Sequence, residues 1–213
     1  MSRTHALDGR LRQQISDRLD RFDYRAIADD ALRHAAVVLA ITGHEVRLGH
    51  PSVLLTRRPK TLGRHSGQYA LPGGKVDPGE TSIQAALREL HEELGVVAGP
   101  DRVLGRLDDY PTRSKFRITP VVVWLDNECN LVPSPDEVCR VFRIPFEELD
   151  SEAIPVFEPG IHPDRPVLCS EFPTLGHRMY SPTAAILYQF REVAIRGDAT
   201  RVAHYDQPRF AWQ

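Results

Sequence analysis

The sequence predicts an α/β protein in which a mixed β-sheet is covered by helices, and three observations carry that expectation. Strand-like runs alternate with a few amphipathic helical stretches along the chain, an order that suits a sheet with helical cover. One helix, over residues 82–94, has a start signal before it and a stop signal after it. The 213 residues, 41% hydrophobic and 26% charged, suit one domain of generous size, or a domain with extensions.

Taken in order, residues 7–33 predict one or two amphipathic helices. Leu7, Leu11, Ile15, Leu19 and Phe22 recur at helical spacing, and Ile27, Ala28, Ala31 and Leu32 repeat it. The β-branched run His34–Thr42 predicts a buried strand, and Val53–Thr56 another, joined by the turn-rich stretch Gly43–Pro51. Residues 59–80, rich in Gly and Pro, predict a long ordered loop or a loop with a short strand, and loops of that length inside a domain are usually functional. Thr81 and Gln84 form a capping box for the helix Ser82–Leu94, Ile83, Leu87, Leu90 and Leu94 give it an apolar stripe, and Gly95 ends it. Further strands are expected at Val103–Leu107, Phe116–Leu125, Val138–Ile144 and Val167–Ser170, and a final helix from Pro182 and Thr183 through Ile195.

Composition excludes wholesale disorder, a collagen-like fibre and a disulfide miniprotein. The longest apolar runs, Ala35–Ile41 and Val121–Leu125, fall far below the ~20 residues needed to cross a bilayer. No basic start followed by an apolar stretch and a small-residue cleavage site is present, so secretion is not expected. Cys129, Cys139 and Cys169, odd in number and without a CxxC, fit reduced thiols in a cytoplasmic protein. A net charge of −2 gives no reason to expect a nucleic-acid partner.

Chemistry is concentrated in Gly74-Lys-Val-Asp-Pro-Gly-Glu80 and Arg88-Glu-Leu-His-Glu-Glu93-Leu-Gly95-Val96. On a helix, Glu89 and Glu93 lie about 40° apart and Glu89 and Glu92 about 60° apart, so three carboxylates share one flank. Like charges so placed weaken a helix by a few tenths of a kcal/mol per pair, and a divalent cation relieves them. Carboxylates without a His or Cys partner favour a hard ion, Mg²⁺ or Mn²⁺. The competing reading is a solvated acidic face. Arg88 can reach back to Glu80 and hold the loop on the helix, and Gly73, Gly74 and Gly79 let the loop turn tightly. Just upstream, Arg57, Arg58, Lys60, Arg64 and His65 make a basic stretch suited to phosphate. The bland alternative is a solvated loop in an Arg-rich chain. No G-x-S-x-G, G-x-x-x-x-G-K-[ST] or H-E-x-x-H is present.

The spaced pattern resembles the Nudix box, G-x₅-E-x₇-R-E-U-x-E-E-x-G-U with U aliphatic, at every fixed position. The resemblance implies a Nudix-type α/β/α sandwich at 34–196, with 1–33 as a helical extension and 197–213 as a tail. It implies a metal-dependent hydrolase of nucleoside diphosphates linked to another moiety, using Mg²⁺ or Mn²⁺ and an attacking water. Glu89 and Glu93 would be metal ligands, Glu92 a further ligand or base, Gly73 a carbonyl ligand, and Glu80 a partner of Arg88. Leu54, Leu55, Thr56, Arg58, His65, Gly67, Gln68, Pro72, Gly73 and Gly74 resemble the coenzyme A signature of one Nudix branch, and Thr183-Ala-Ala-Ile-Leu resembles its last helix. This implies hydrolysis of coenzyme A or acyl-coenzyme A, with Arg57, Arg58, Arg64, His65, Gly67 and Gln68 binding substrate. ADP-ribose or another nucleoside-diphosphate conjugate is the alternative substrate, and a nucleotide-sensing module without catalysis the alternative class. Asp136, Glu137, Glu158 and Glu171 are open as distal acids or bases, and His162 and His177 read as packing or loop residues. Apolar residues at both ends, Leu11 to Phe22 and Tyr205, Phe210 and Trp212, predict a homodimer through at least one end unless both dock on their own domain.

Overall fold

The computed structural model describes residues 5–59, 68–125, 127, 129–161 and 163–208. Its centre is β1 (Arg33–Gly43), buried on both faces over most of its length. β1 pairs in parallel with β7 (Phe116–Trp124), with Ala35 opposite Ile118 and Ile41 opposite Trp124. On its other edge it pairs antiparallel with β2 (Pro51–Arg57) at one end and with the short β4 (Gly73–Lys75) at the other. Continuous apolar runs, in place of strict alternation, are what a strand covered on both faces requires. β3 (Tyr69–Ala70), β5 (Val103–Arg106), β6 (Tyr110–Pro111) and β8 (Arg140–Pro145) complete an eight-stranded mixed sheet.

One face of the sheet carries α2 (Ser82–Leu94), whose Ala85, Ala86, Leu90 and Leu94 pack on Ala36, Val38, Ala40, Val121 and Val123. The expected stripe shifts here: Ile83 and Leu87 are only partly buried, because the two small alanines bring the helix close to the sheet. Both halves of the capping box form, Thr81 Oγ1 accepting from the Gln84 amide and Gln84 Oε1 from the Thr81 amide, and Gly95 ends the helix in the left-handed region at φ 70°.

The opposite face is covered by α1 (Gly9–Arg21) and α3 (Thr183–Phe190), the latter continuing as a π-helical turn at Arg191–Arg196. α1 starts on Asp8, whose carboxylate accepts from the Leu11 amide, and buries Leu11, Ile15 and Leu19. This α/β/α layering is the predicted fold class. Leu11, Ile15, Leu19 and Phe22 of the N-terminal stripe are buried in the chain's own core. Residues 27–32 form no second helix. The Arg25 and Ile27 amides are captured by the buried carboxylates of Asp108 and Asp109, and Asp29 accepts from Ala31 in a local turn.

A second sheet was not foreseen beyond its middle strand: β9 (Val156–Glu158), β10 (Val167–Glu171) and β11 (Arg178–Tyr180), all antiparallel. The C-terminal segment docks on the main body. Arg201 pairs with Asp108, and Asp206 takes two 2.8 Å hydrogen bonds from Arg113. Tyr205 is half-buried on its own chain, whereas Phe210 and Trp212 lie outside the described residues. No helix among the described residues is long and apolar enough to cross a membrane.

Candidate active site

α2 and β4 meet edge to face, and two glycines allow it. Gly73 has φ 153°, a conformation side chains rarely adopt, and a Cβ there would come within 2.3 Å of the Ala36 carbonyl. A Cβ on Gly74 would come within 2.3 Å of the Glu89 carboxylate. Glu89 and Glu93 therefore lie directly against the β4 backbone, and the Gly73 amide donates to Glu93.

Arg88 organises the remaining carboxylates. Its Nε and Nη2 grip Glu80 at 3.0 and 3.1 Å, Nη1 reaches Glu89 and Glu92 at 2.8 Å each, and Nη2 also donates to the Lys75 carbonyl at 3.0 Å. The hydrogen bonds from Arg88 hold the Glu80 carboxyl below its ordinary value, and those carboxylates keep Arg88 firmly protonated. The predicted flank of three equivalent glutamates is thus divided. Glu92 turns outward to Arg88 with its side chain about half exposed, while Glu93 is 3% exposed. Successive residues are about 100° apart around the helix, so Glu92 lies on the Arg88 side while Glu93 faces the sheet.

Glu93 is the unusual group. Its Oε2 is buried and accepts no hydrogen bond. Burial pushes its carboxyl up to about 8, against the pull of Arg58 and the Gly73 amide, and burial also raises Glu89. Glu137, in the turn before β8, adds negative potential at both glutamates. Of the four acids left open by the sequence it is the one placed against the box. Glu158 and Glu171 instead hold Arg178, and the exposed His177 stands in the turn before it.

Among the described residues, no three His, Cys, Asp or Glu side chains converge to form a complete metal cage. The residues nevertheless fit a hard divalent ion. An orphaned buried carboxylate oxygen on Glu93 stands near Glu89, all donors are oxygen, and Mg²⁺ ordinarily fills most of its sphere with water and phosphate.

Beside Gly73 and Gly74 opens a cavity of about 620 Å³. Arg58 and Gln68 stand in its wall, and the Arg58 amide donates to the Gln68 carbonyl. Arg57 lies over the Tyr69 ring at 5.7 Å. Arg64, His65 and Gly67 lie outside the described residues, as does His162. The far wall is one that motif reading missed: Arg178 to Thr183, Ile186 and Gln207. Its one sequence signal is the Thr183-Ala-Ala-Ile-Leu string.

With this geometry in view, the chain matches the NUDIX domain over residues 32–166, and it belongs to that family. It is 44% identical over 109 residues to Nudix hydrolase 3 of Caenorhabditis elegans, covering 49% of this chain and 45% of that protein. To the uncharacterized Nudix hydrolase NudL of Yersinia enterocolitica it is 40% identical over 116 residues, covering 54% of this chain and 57% of that one. To NudL of Photorhabdus laumondii it is 38% identical over 140 residues, covering 63% of this chain and 73% of that one. The chain thus spans about half the length of the first two relatives. A MutT/nudix family structure from Enterococcus faecalis overlays with a TM-score of 0.45 at 20% identity, over 68% of this chain and 51% of that one, a likeness too slight to argue from.

Proposed function

We propose that the chain is a Mg²⁺- or Mn²⁺-dependent diphosphatase that hydrolyses coenzyme A or acyl-coenzyme A to 3′,5′-ADP and (acyl-)4′-phosphopantetheine. The observation that carries the reading is the open buried oxygen of Glu93 near Glu89, both against the Gly73–Gly74 backbone that also lines the cavity. In this reading Glu89, Glu93 and the Gly73 carbonyl hold the ion, with Glu92 at the outer edge. When bound, the ion neutralises diphosphate oxygens and acidifies a water. Arg88 acts by position, fixing Glu80, Glu89 and Glu92 in one array. Arg58 places its guanidinium on a diphosphate oxygen. Water attacks phosphorus in line, the bridging P–O bond breaks, and Glu137 or Glu92 receives the proton released by the water. Arg64, His65, Gly67 and Gln68 complete the phosphate-binding stretch, and the cytoplasm is the compartment proposed.

A second reading keeps the chemistry but takes ADP-ribose or another nucleoside-diphosphate conjugate. It is favoured by the proximity of Arg58 to Glu93, which commits that cation to the diphosphate and leaves it unavailable for a distant 3′-phosphate. The test is to incubate the full chain with Mg²⁺ and coenzyme A, dephospho-coenzyme A, ADP-ribose or NADH, and to identify the products. Formation of 3′,5′-ADP with coenzyme A preferred supports the first reading, AMP from ADP-ribose as the dominant product supports the second, and no cleavage of any substrate overturns both. Arg58→Ala tests the role that both readings give this residue. A loss of ~1.5–3 kcal/mol in kcat/KM, equal on coenzyme A and its dephospho form, assigns Arg58 to the diphosphate.

A further inference from the structure

The cavity is built from two sources. Its floor is the main sheet, with Val37, Leu71 and Ile118, and its roof is Met179, Pro182 and Ile186, which follow the matched NUDIX segment in sequence. The walls are predominantly apolar. Among the described lining residues the formal charges are two guanidiniums, and neither serves the interior. Arg178 is engaged by Glu158 and Glu171 at the rim, and Arg58 stands at the glutamate end, near Glu93. A second phosphate or an anionic sugar acid buried there would meet no further cation among the described lining residues, and an uncompensated charge is costly in an apolar site. An uncharged apolar chain meets no such cost, and it gains from burial in a pre-formed cavity of ligand-binding size.

We infer that this cavity is the subsite for the second substituent of the cleaved diphosphate, and that the substituent it selects is an uncharged, largely apolar arm. The inference rests on the diphosphatase reading above for what lies beside Gly73, Gly74 and Arg58. Selection is made by Ala35, Ile118, Met179 and Ile186. Ala35 and Ile118 face each other in the parallel β1–β7 register, and the small Ala35 side chain keeps the floor open.

The test compares coenzyme A with octanoyl-coenzyme A, which share nucleotide, diphosphate and 3′-phosphate and differ in the apolar length of the arm. On the Mg²⁺-loaded full chain, KM for the octanoyl substrate is expected to be at least about tenfold lower, equivalent to ~1.4 kcal/mol. Ala35→Phe, which fills the floor, and Ile118→Asp, which places a charge in it, should reduce that advantage to within about twofold. Thermal melts identify a variant that fails to fold, in which case the other decides. Titration calorimetry of both ligands with Ca²⁺ in place of Mg²⁺ reads the arm independently of turnover. If no substrate is cleaved, the diphosphatase reading falls and the calorimetric ratio alone judges the cavity. Equal KM values and equal affinities for the two ligands, or an octanoyl advantage unchanged in both folded variants, would overturn the subsite.

Discussion

At the scale of single residues, the site turns on one carboxylate kept without enough partners. A buried carboxylate oxygen that accepts no hydrogen bond carries a desolvation cost that an ordinary structural glutamate avoids. Glu93→Gln keeps size and shape, retains an acceptor for the Gly73 amide, and removes the charge. We expect kcat to fall by orders of magnitude, since a charged metal ligand contributes several kcal/mol of transition-state stabilisation. We also expect the metal-free variant to melt no lower than the parent, because the burial penalty of the charge is gone. Turnover measured beside a thermal melt checks both, and activity within about twofold of the parent removes Glu93 from the metal role. The sequence made Glu89, Glu92 and Glu93 legible as a group, because helical periodicity depends on spacing alone. It could not order them, because which of the three is buried by the sheet and which stays open beside Arg88 is set by how the helix docks. Glu137 was legible only as one of four open acids for the same reason: a turn residue some forty positions from the box comes near it only through the fold.

At the scale of elements, local signals succeeded where they were self-contained. The capping box and Gly95 bound α2 as read, since each half of that motif is satisfied within three residues. The stretch after α1 failed because its helical spacing competes with partners more than eighty residues away, the carboxylates of Asp108 and Asp109. β9 and β11 escaped because strands of three residues carry no periodicity to read. The stripe of α1 was legible but not its destination. It packs on β5 and on the π-helical turn, where Arg18 donates to the Ala194 carbonyl at 3.0 Å. Ile15 is fully buried in that interface. Ile15→Ala should therefore destabilise the chain by about 2–5 kcal/mol through lost burial and a residual cavity, at unchanged oligomeric state. Denaturant unfolding with light scattering checks it. A loss under about 0.5 kcal/mol, or a change from dimer to monomer, would show that α1 serves an interface between subunits instead.

At the scale of the whole molecule, the cavity joins segments far apart in sequence, and the C-terminal segment is tied to its rim by Asp206. This side chain is 2% exposed. Burial works to raise its carboxyl, but the Gln207 amide and the paired hydrogen bonds from Arg113 outweigh it and hold it below the usual carboxylate range. The next residue, Gln207, lines the cavity and accepts from the Arg113 amide. Because the folded state lowers this carboxyl, its contribution to stability is present in full above the unfolded value, ~3.9, and is lost as pH falls through the folded value. Asp206→Asn should then lower stability by about 1–2 kcal/mol at pH 7, and the gap from the parent should close below about pH 4. Loosening the strap should also raise KM for the substrate with the bulkier arm more than it lowers kcat, since Gln207 borders the cavity while the glutamates of α2 are untouched. Urea unfolding at a series of pH values, beside steady-state kinetics at pH 7, reads both effects. A stability gap that stays constant from pH 7 to pH 3 would mean that Asp206 holds the tail as a neutral hydrogen-bond acceptor. A fall in kcat at unchanged KM would place the strap in the service of the glutamates and not of the cavity.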